Sequence, residues 1–288
     1  MKKFCIIVNC FKDKDLSLTK SIKKKIEDSK GQCTIVTVGQ QTDKEHIDYG
    51  KNILGDESKI ECAIVVGGDG TILQAAKDLY GLDIPIIGIN LGNVGFLAEV
   101  EVDKVDEALE KLINDDYSTQ ERILLNGKII RDNNVICFDT ALNDIVVSRF
   151  GLSRVMAMEV YVNDELINTY NGDGMIVSTP TGTTGYNLSA GGPIAKPDAN
   201  LLMITPICVH SLYNRSVVVS ASDKIDIKIV EKRHNQPEEA MVTFDGRAGF
   251  KIGANDLIQI KKSDKIIELI KLEDKKFFDI VREKIERK

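Results

Sequence analysis

The stretch Ile60-Glu61-Cys62-Ala63-Ile64-Val65-Val66-Gly67-Gly68-Asp69-Gly70-Thr71-Ile72-Leu73 decides the fold. Its first half, Ile60–Val66, is a short apolar run centred on Ala63-Ile64-Val65-Val66, the pattern of a strand buried on both faces. A helical pattern opens near Thr71 and carries Leu73, Ala76 and Leu79. Glycines therefore lie where a strand ends and a helix begins. Backbone N–H groups are unpaired there and the helix dipole is positive, so an anion is welcome. Without Cβ atoms, glycines also let the main chain approach a phosphate closely. The loop is no Walker-A sequence, because GxxxxGK[ST] is missing, and the GxGxxG pattern breaks at Leu73.

The same alternation continues on both sides of this loop. Phe4–Val8 and Thr34–Val38 read as strands, and Leu18, Ile22 and Ile26 recur at helical spacing between them. Ile84–Ile89 reads as a fourth strand, followed by a helix carrying Val105, Ala108, Leu109 and Leu112, with Asp103 as its N-cap. Strands alternating with helices imply a parallel sheet covered on both faces. From about Glu121 the rhythm changes to Val-, Ile- and Thr-rich runs: Arg122–Ile130, Val135–Asp139, Asp144–Val147, Val155–Val162, Met175–Ser178, Val217–Ser220, Lys224–Val230, Ala240–Phe244 and Leu257–Lys261. Turn dipeptides such as Asn163-Asp164 and Asp245-Gly246 punctuate them. The expected fold class is an α/β N-terminal domain with a parallel sheet plus a mostly antiparallel β C-terminal domain. Lys275–Lys288 reads as a C-terminal helix, with Phe278, Val281 and Ile285 on one stripe, returning to the first domain. The expected boundaries are 1–118, 119–270 and 271–288.

Composition narrows the function. The chain has 288 residues, 43% hydrophobic and 28% charged, which suits a folded protein with a sizeable core. Lys and Arg number 38 against 44 Asp and Glu, and a net charge of −6 gives no electrostatic footprint for nucleic acid. The N-terminal apolar run is too short for a signal-peptide core, and nothing approaches a membrane span of ~18 residues. Cys5, Cys10, Cys33, Cys62, Cys137 and Cys208 form no CxxC, and read as reduced thiols of a cytoplasmic protein. His46, His210 and His234 are scattered, which argues against a His-rich zinc site.

Candidate site residues fall in three segments. In the first, a carboxylate at Asp69 should repel a phosphate held by Gly67, Gly68, Gly70 and Thr71, so it has another task. It holds a Mg²⁺ that bridges phosphates, accepts a proton from an attacking hydroxyl, or merely caps the helix. A second glycine cluster, Gly88-Ile89-Asn90-Leu91-Gly92-Asn93-Val94-Gly95-Phe96-Leu97, falls on the same sheet edge. Phe96 there is either a stacking platform or a core plug. In the β half, Asn171-Gly172-Asp173-Gly174 leads to a strand ending in Ser178-Thr179-Pro180-Thr181-Gly182-Thr183-Thr184-Gly185-Tyr186-Asn187-Leu188-Ser189-Ala190-Gly191-Gly192-Pro193. So many small hydroxyl residues suit a surface that wraps a polar ligand. Asn143 and Asp144 sit between apolar stretches, suited to an adenine edge and a ribose, or to a turn.

Together these segments resemble the NAD kinase family. The resemblance rests on Gly67-Gly68-Asp69-Gly70-Thr71, Asn90-Leu91-Gly92 through Phe96-Leu97, Leu142-Asn143-Asp144, Asp173-Gly174 and Ser178-Thr179-Pro180-Thr181-Gly182. Pro206-Ile207-Cys208 and His210-Ser211-Leu212 complete it. Lipid kinases and phosphofructokinases carry loops similar to the first of these, whereas the combination is specific. The resemblance implies transfer of the γ-phosphoryl group of ATP to the 2′-hydroxyl of the adenosine ribose of NAD, with Asp69 as proton acceptor. It implies NAD contacts from Asp69, Gly70, Phe96, Asn143, Asp144, Asn171, Asp173, Thr181, Thr184, Gly185, Tyr186, Asn187, Leu188 and Ser189. It also implies a divalent cation such as Mg²⁺, ATP or in some members polyphosphate as donor, a cytoplasmic location, and a homo-oligomer, dimer or tetramer. Gln74 stands where many members have a basic residue, Asn171 where Arg is frequent, and Val209 where Pro is frequent. Arg247 replaces the Gln or His of many bacterial members and offers a phosphate contact. The rival readings are a lipid kinase of the diacylglycerol type and a non-catalytic NADP sensor. Lys23-Lys24-Lys25, the densest basic run, reads as the solvated face of a helix rather than a membrane-facing patch.

Overall fold

A computed structural model describes residues 1–38, 60–92, 95–150, 155–210, 214–230, 240–247, 249–273 and 276–286. His46, His234, Asn93, Val94, Ser211 and Leu212 lie outside the described residues. The chain forms two compact units, Met1–Glu121 with Ile266–Lys288, and Arg122–Lys265.

The first unit is α/β. Strand β1 (Lys3–Asn9) is flanked in the order β2-β1-β3-β4 by β2 (Gln32–Val38), β3 (Cys62–Gly67) and β4 (Ile86–Asn90). All these pairings are parallel, as is that of β4 with the short β5 (Val100–Glu101). Phe4 to Val8 and Cys62 to Val66 are buried along their whole length, as continuous apolar runs require when both faces are covered. Helices α1 (Ser17–Asp28), α2 (Asp69–Asp78) and α3 (Val105–Ile113) alternate with the strands. The core joins Ile22 and Ile26 of α1 and Leu109 and Leu112 of α3 to Ile6, Ile64 and Ile87 of the sheet.

Two local expectations need correction. The third helix is not capped by Asp103. A 3-10 turn over Val102–Lys104 precedes it, with Asp103 inside the turn. Helix α2 begins at Asp69 rather than near Thr71.

The second unit is antiparallel β. One sheet has the order β13-β12-β11-β8-β15-β16, formed by β8 (Asp144–Arg149), β11 (Gly174–Ser178), β12 (Leu201–Ile207), β13 (Val217–Ser220), β15 (Ala240–Phe244) and β16 (Phe250–Ile252). Further strands pair antiparallel as β6 (Ser118–Arg131) with β7 (Asn134–Ala141), and as β10 (Glu165–Gly172), β9 (Met156–Val162), β14 (Ile225–Val230) and β17 (Leu257–Lys271) in that order. Hairpin turns use residues that tolerate positive φ: Asp132-Asn133 between β6 and β7, and Asn163-Asp164 between β9 and β10. The core packs Val147, Met158, Tyr170, Val177, Ile204, Ile227 and Phe244 together.

Strands over 165–172 and 201–207 escaped the sequence pattern. The first is half exposed and polar, and Pro206 interrupts the second. Leu269 of β17 pairs parallel with Ile86 in the first unit, and helix α4 (Phe277–Glu286) follows. In this helix Val281 is buried as the stripe required, but Phe278 is 55% exposed, and the side chain of Ile285 lies outside the described set. No helix among the described residues is long and apolar enough to cross a membrane.

Candidate active site

The glycine loop follows β3 directly. Gly68 is extended and Asp69 opens α2. The hydroxyl of Thr71 accepts the Gly68 N–H at 3.5 Å and steadies the first turn. The Asp69 carboxylate does not point idly into solvent. Its Oδ2 accepts the main-chain N–H of Phe96 at 2.8 Å, and its Oδ1 that of Leu97 at 3.3 Å. These bonds reach 27 and 28 residues along the chain and join the two glycine clusters that the sequence showed only as neighbours on one sheet edge. Gly95 makes the contact possible, since a Cβ there would stand 1.7 Å from Asp69 Oδ1. Phe96 thus serves Asp69 through its backbone. Its ring is half-buried, with the Lys284 ammonium 5.5 Å from the centroid.

Such an arrangement fixes one carboxylate in one orientation using donors that cannot rotate away. Two N–H bonds leave lone pairs on both oxygens, because an ionised carboxylate has about four acceptor positions. The group can therefore take a proton without leaving its anchors.

In the second unit the candidates gather around the turn that enters β8. Asp245 organises this turn. Its carboxylate accepts N–H groups from Leu142 at 2.8 Å, Asn143 at 2.8 Å and Asp144 at 3.1 Å. Asp245 N–H in turn donates to Asp144 O at 3.0 Å. The hydroxyl-rich segment packs on the same turn. Thr179 N–H donates to Asn143 O at 2.9 Å, and Thr179 Oγ1 to Leu142 O at 2.6 Å. A Cβ on Gly185 would lie 3.4 Å from Asn143 Nδ2 and 3.8 Å from Asp144 Oδ2. Asn143, Asp144, Thr181 and Gly185 are thus brought together. Two buried atoms in this cluster, Asn143 Oδ1 and Thr181 Oγ1, have no hydrogen-bond partner. Buried polar atoms are normally paired, so this pair of vacancies suits a polar ligand.

Burial, and then the neighbouring charge of Asp245, push the Asp144 carboxyl up to about 7. Asp245 is also raised by burial, against the opposing pull of its three N–H bonds. Two desolvated carboxylates this close resist being ionised together.

The remaining candidates divide by environment. Asn187 is fully buried. Its Nδ2 donates to Pro193 O at 3.0 Å and Thr183 O at 3.4 Å, and its Oδ1 accepts from Thr205 Oγ1 at 2.7 Å. That side chain holds the segment in shape. Tyr186 is 47% exposed, Ser189 is exposed, and Thr184 and Leu188 are half-buried. Asp173 accepts from Arg149 Nε at 2.9 Å, and Asn171 O accepts the His210 N–H at 2.8 Å. Arg247 acts on Asp245 by its charge. Sequence inspection missed Gly95, Arg149 and the anchoring part of Asp245. Gly95 lay within a quoted glycine cluster and Asp245 within a quoted turn, but the contacts they make are remote in sequence.

Among the described residues no group of three His, Cys, Asp or Glu gathers to hold a metal. Mg²⁺ needs only one or two protein carboxylates when substrate phosphates supply the rest.

Comparison with known proteins bears on both units. Residues 5–117 match the model of the ATP-NAD kinase N-terminal domain, and residues 142–272 that of the ATP-NAD kinase C-terminal domain. An NAD kinase of Lachnoclostridium phytofermentans is 44% identical over 286 residues, covering 99% of each chain. Two solved structures share the fold. The yeast NADH kinase complexed with NADH has a TM-score of 0.84 at 20% identity, covering 99% of this chain and 88% of that one. An NAD kinase from Archaeoglobus fulgidus in complex with ATP has a TM-score of 0.75 at 22% identity, covering 98% of each. These matches lend no support to the lipid-kinase and sensor readings.

Proposed function

The chain belongs to the NAD kinase family and is an enzyme of that class, and we propose that Asp69 is the base of its reaction. ATP and NAD are the substrates. The 2′-hydroxyl of the adenosine ribose gives its proton to the Asp69 carboxylate as its oxygen attacks the γ-phosphorus. The bond from that phosphorus to the β–γ bridging oxygen breaks, and ADP leaves with NADP as product. The main-chain N–H of Gly70, in the first turn of α2, and the positive end of that helix stabilise negative charge on the transferring group. A Mg²⁺ bound with ATP would supply further charge neutralisation at the phosphates.

The observation that carries this reading is the grip on Asp69. Two main-chain donors hold a carboxylate among glycines, where a pure phosphate binder gains nothing from negative charge. In the second unit, Asn143, Asp144 and Thr181 offer acceptors for the adenosine part of NAD, supported by the unpaired Asn143 Oδ1 and Thr181 Oγ1. Asp173, Asn171, Thr184, Tyr186, Leu188 and Ser189 contribute further contacts, and Arg247 a phosphate contact. The family resemblance supports a cytoplasmic homo-oligomer, dimer or tetramer. Incubation of the purified chain with ATP, Mg²⁺ and NAD, with product read by an NADP-specific dehydrogenase, tests the activity. Absence of NADP overturns it.

A further inference from the structure

Nothing so far explains how the donor's phosphate chain is held, since neither a P-loop lysine nor an arginine clamp stands in the glycine loop. A cation does stand beside it. Strands β1 and β3 are parallel neighbours with Val8 opposite Val66, so the segment after β1 leaves the sheet next to the glycine loop. That segment is tied down. The N–H groups of Lys12 and Asp13 donate to Asn9 O at 3.0 and 3.1 Å, and Asn9 Oδ1 accepts from Phe11 N–H at 3.0 Å. The buried Asp13 carboxylate accepts the N–H and the hydroxyl of Thr19, at 3.0 and 2.7 Å. Between these anchors the exposed Lys12 side chain reaches over the loop, so that a Cβ on Gly68 would stand 2.5 Å from its Nζ. The ammonium thus lies over the bare main chain of Gly68.

Among the described residues no carboxylate pairs with this ammonium. It lies instead against a loop whose free N–H groups are themselves positive, an arrangement that an anion relieves. A second unpaired group marks the same edge. Asn90 is opposite Gly67 in the register, and its buried Oδ1 has no partner, although its Nδ2 donates to Gly92 O at 2.6 Å. A ligand hydroxyl or a cation-bound water would satisfy it.

Resting on the NAD kinase reading, we propose that Lys12 is a binding residue for the phosphate chain of the donor, its ammonium and the glycine-loop N–H groups converging on the same anion. A lysine suits this task as a compact charge with three donors.

The test uses the full chain, with equilibrium binding of ATP and Mg²⁺ measured by titration calorimetry alongside KM for each substrate. Lys12→Met should raise Kd and KM for ATP about 10- to 100-fold, the cost of a lost charge-assisted contact. Lys12→Arg should recover most of the loss. KM for NAD at saturating ATP and the melting temperature should not move, because the side chain is exposed. An unchanged Kd for ATP in Lys12→Met overturns the proposal. So does a rise in KM for NAD alone, which would put the ammonium on the dinucleotide's pyrophosphate. A wild-type chain that binds ATP yet forms no NADP would sink the kinase reading, while the ATP titration still decides the role of Lys12.

Discussion

Around Asp69 the chain makes room by omission, whereas around Asn143 it fills the space with hydrogen-bonded side chains. In the first unit the grip on the carboxylate comes from backbone alone, and the missing Cβ of Gly95 lets it close. In the second unit Asp245, Thr179 and Asn187 form a buried polar scaffold, and only Asn143 Oδ1 and Thr181 Oγ1 are left unpaired in the cluster. The difference follows from what each region is proposed to do. A reacting carboxylate needs fixed orientation with little bulk around it. A dinucleotide needs a broad surface of preset donors and acceptors. Chemistry in one unit and stability in the other should therefore respond to different substitutions.

The largest effect is expected at the proposed base. Asp69→Asn should lower kcat by roughly 10²–10⁴ while the melting temperature stays close to wild type. Gly95→Ala should approach that loss without touching Asp69 itself, because the added Cβ would displace the carboxylate. Full activity in either folded variant would break the contrast at its catalytic side. Asn187→Ala should behave in the opposite way, costing about 2–3 kcal/mol in chemical denaturation by leaving buried partners unpaired. If it altered KM for NAD and left stability intact, the scaffold description of the second unit would be wrong.

Acidity sharpens the contrast further. The Asp144 carboxyl is raised to about 7 by burial and the Asp245 charge, so the folded chain holds a proton there that the unfolded chain has already released. The stabilising contribution is complete below the unfolded value near 4 and is lost as pH rises towards and through 7, by at most ~1.4 kcal/mol per pH unit. Asn stays neutral as the protonated carboxyl is, so denaturation curves for wild type and Asp144→Asn should lie close together at pH 5 and separate towards pH 8, where the wild type alone loses stability. Parallel curves would show that Asp144 is ionised throughout. The smallest effect is expected at the rim. Tyr186→Ala should raise KM for NAD about tenfold through lost stacking, without a change in melting temperature.

Much of the fold could be read locally. The run Ala63-Ile64-Val65-Val66 became the fully buried β3, and the Val-rich run at 217–220 became a strand with those bounds. Period and branching carry such information along the chain itself. Strand β10 was hidden because Glu165, Asn168, Thr169 and Asn171 give it no apolar alternation. The site was legible to the extent that its residues advertised an unusual composition: glycines around Asp69 and hydroxyls from Ser178 to Ser189. Its supports were not. Gly95 reaching Asp69, Asp245 reaching Leu142–Asp144 and Arg149 meeting Asp173 are contacts through space, and neither periodicity nor spacing encodes them.

The first unit is discontinuous in sequence: it needs Ile266–Lys288, and Leu269 pairs beside Ile86. On the ribosome the glycine loop thus emerges well before Ile266–Lys288, and the sheet beside it stays incomplete until Leu269 can pair with Ile86. The intervening β unit can close while translation is still under way, because its residues are contiguous. The two units thus differ in when they can be completed: the second as soon as Lys265 has been made, the first only after Ile266–Lys288 have followed.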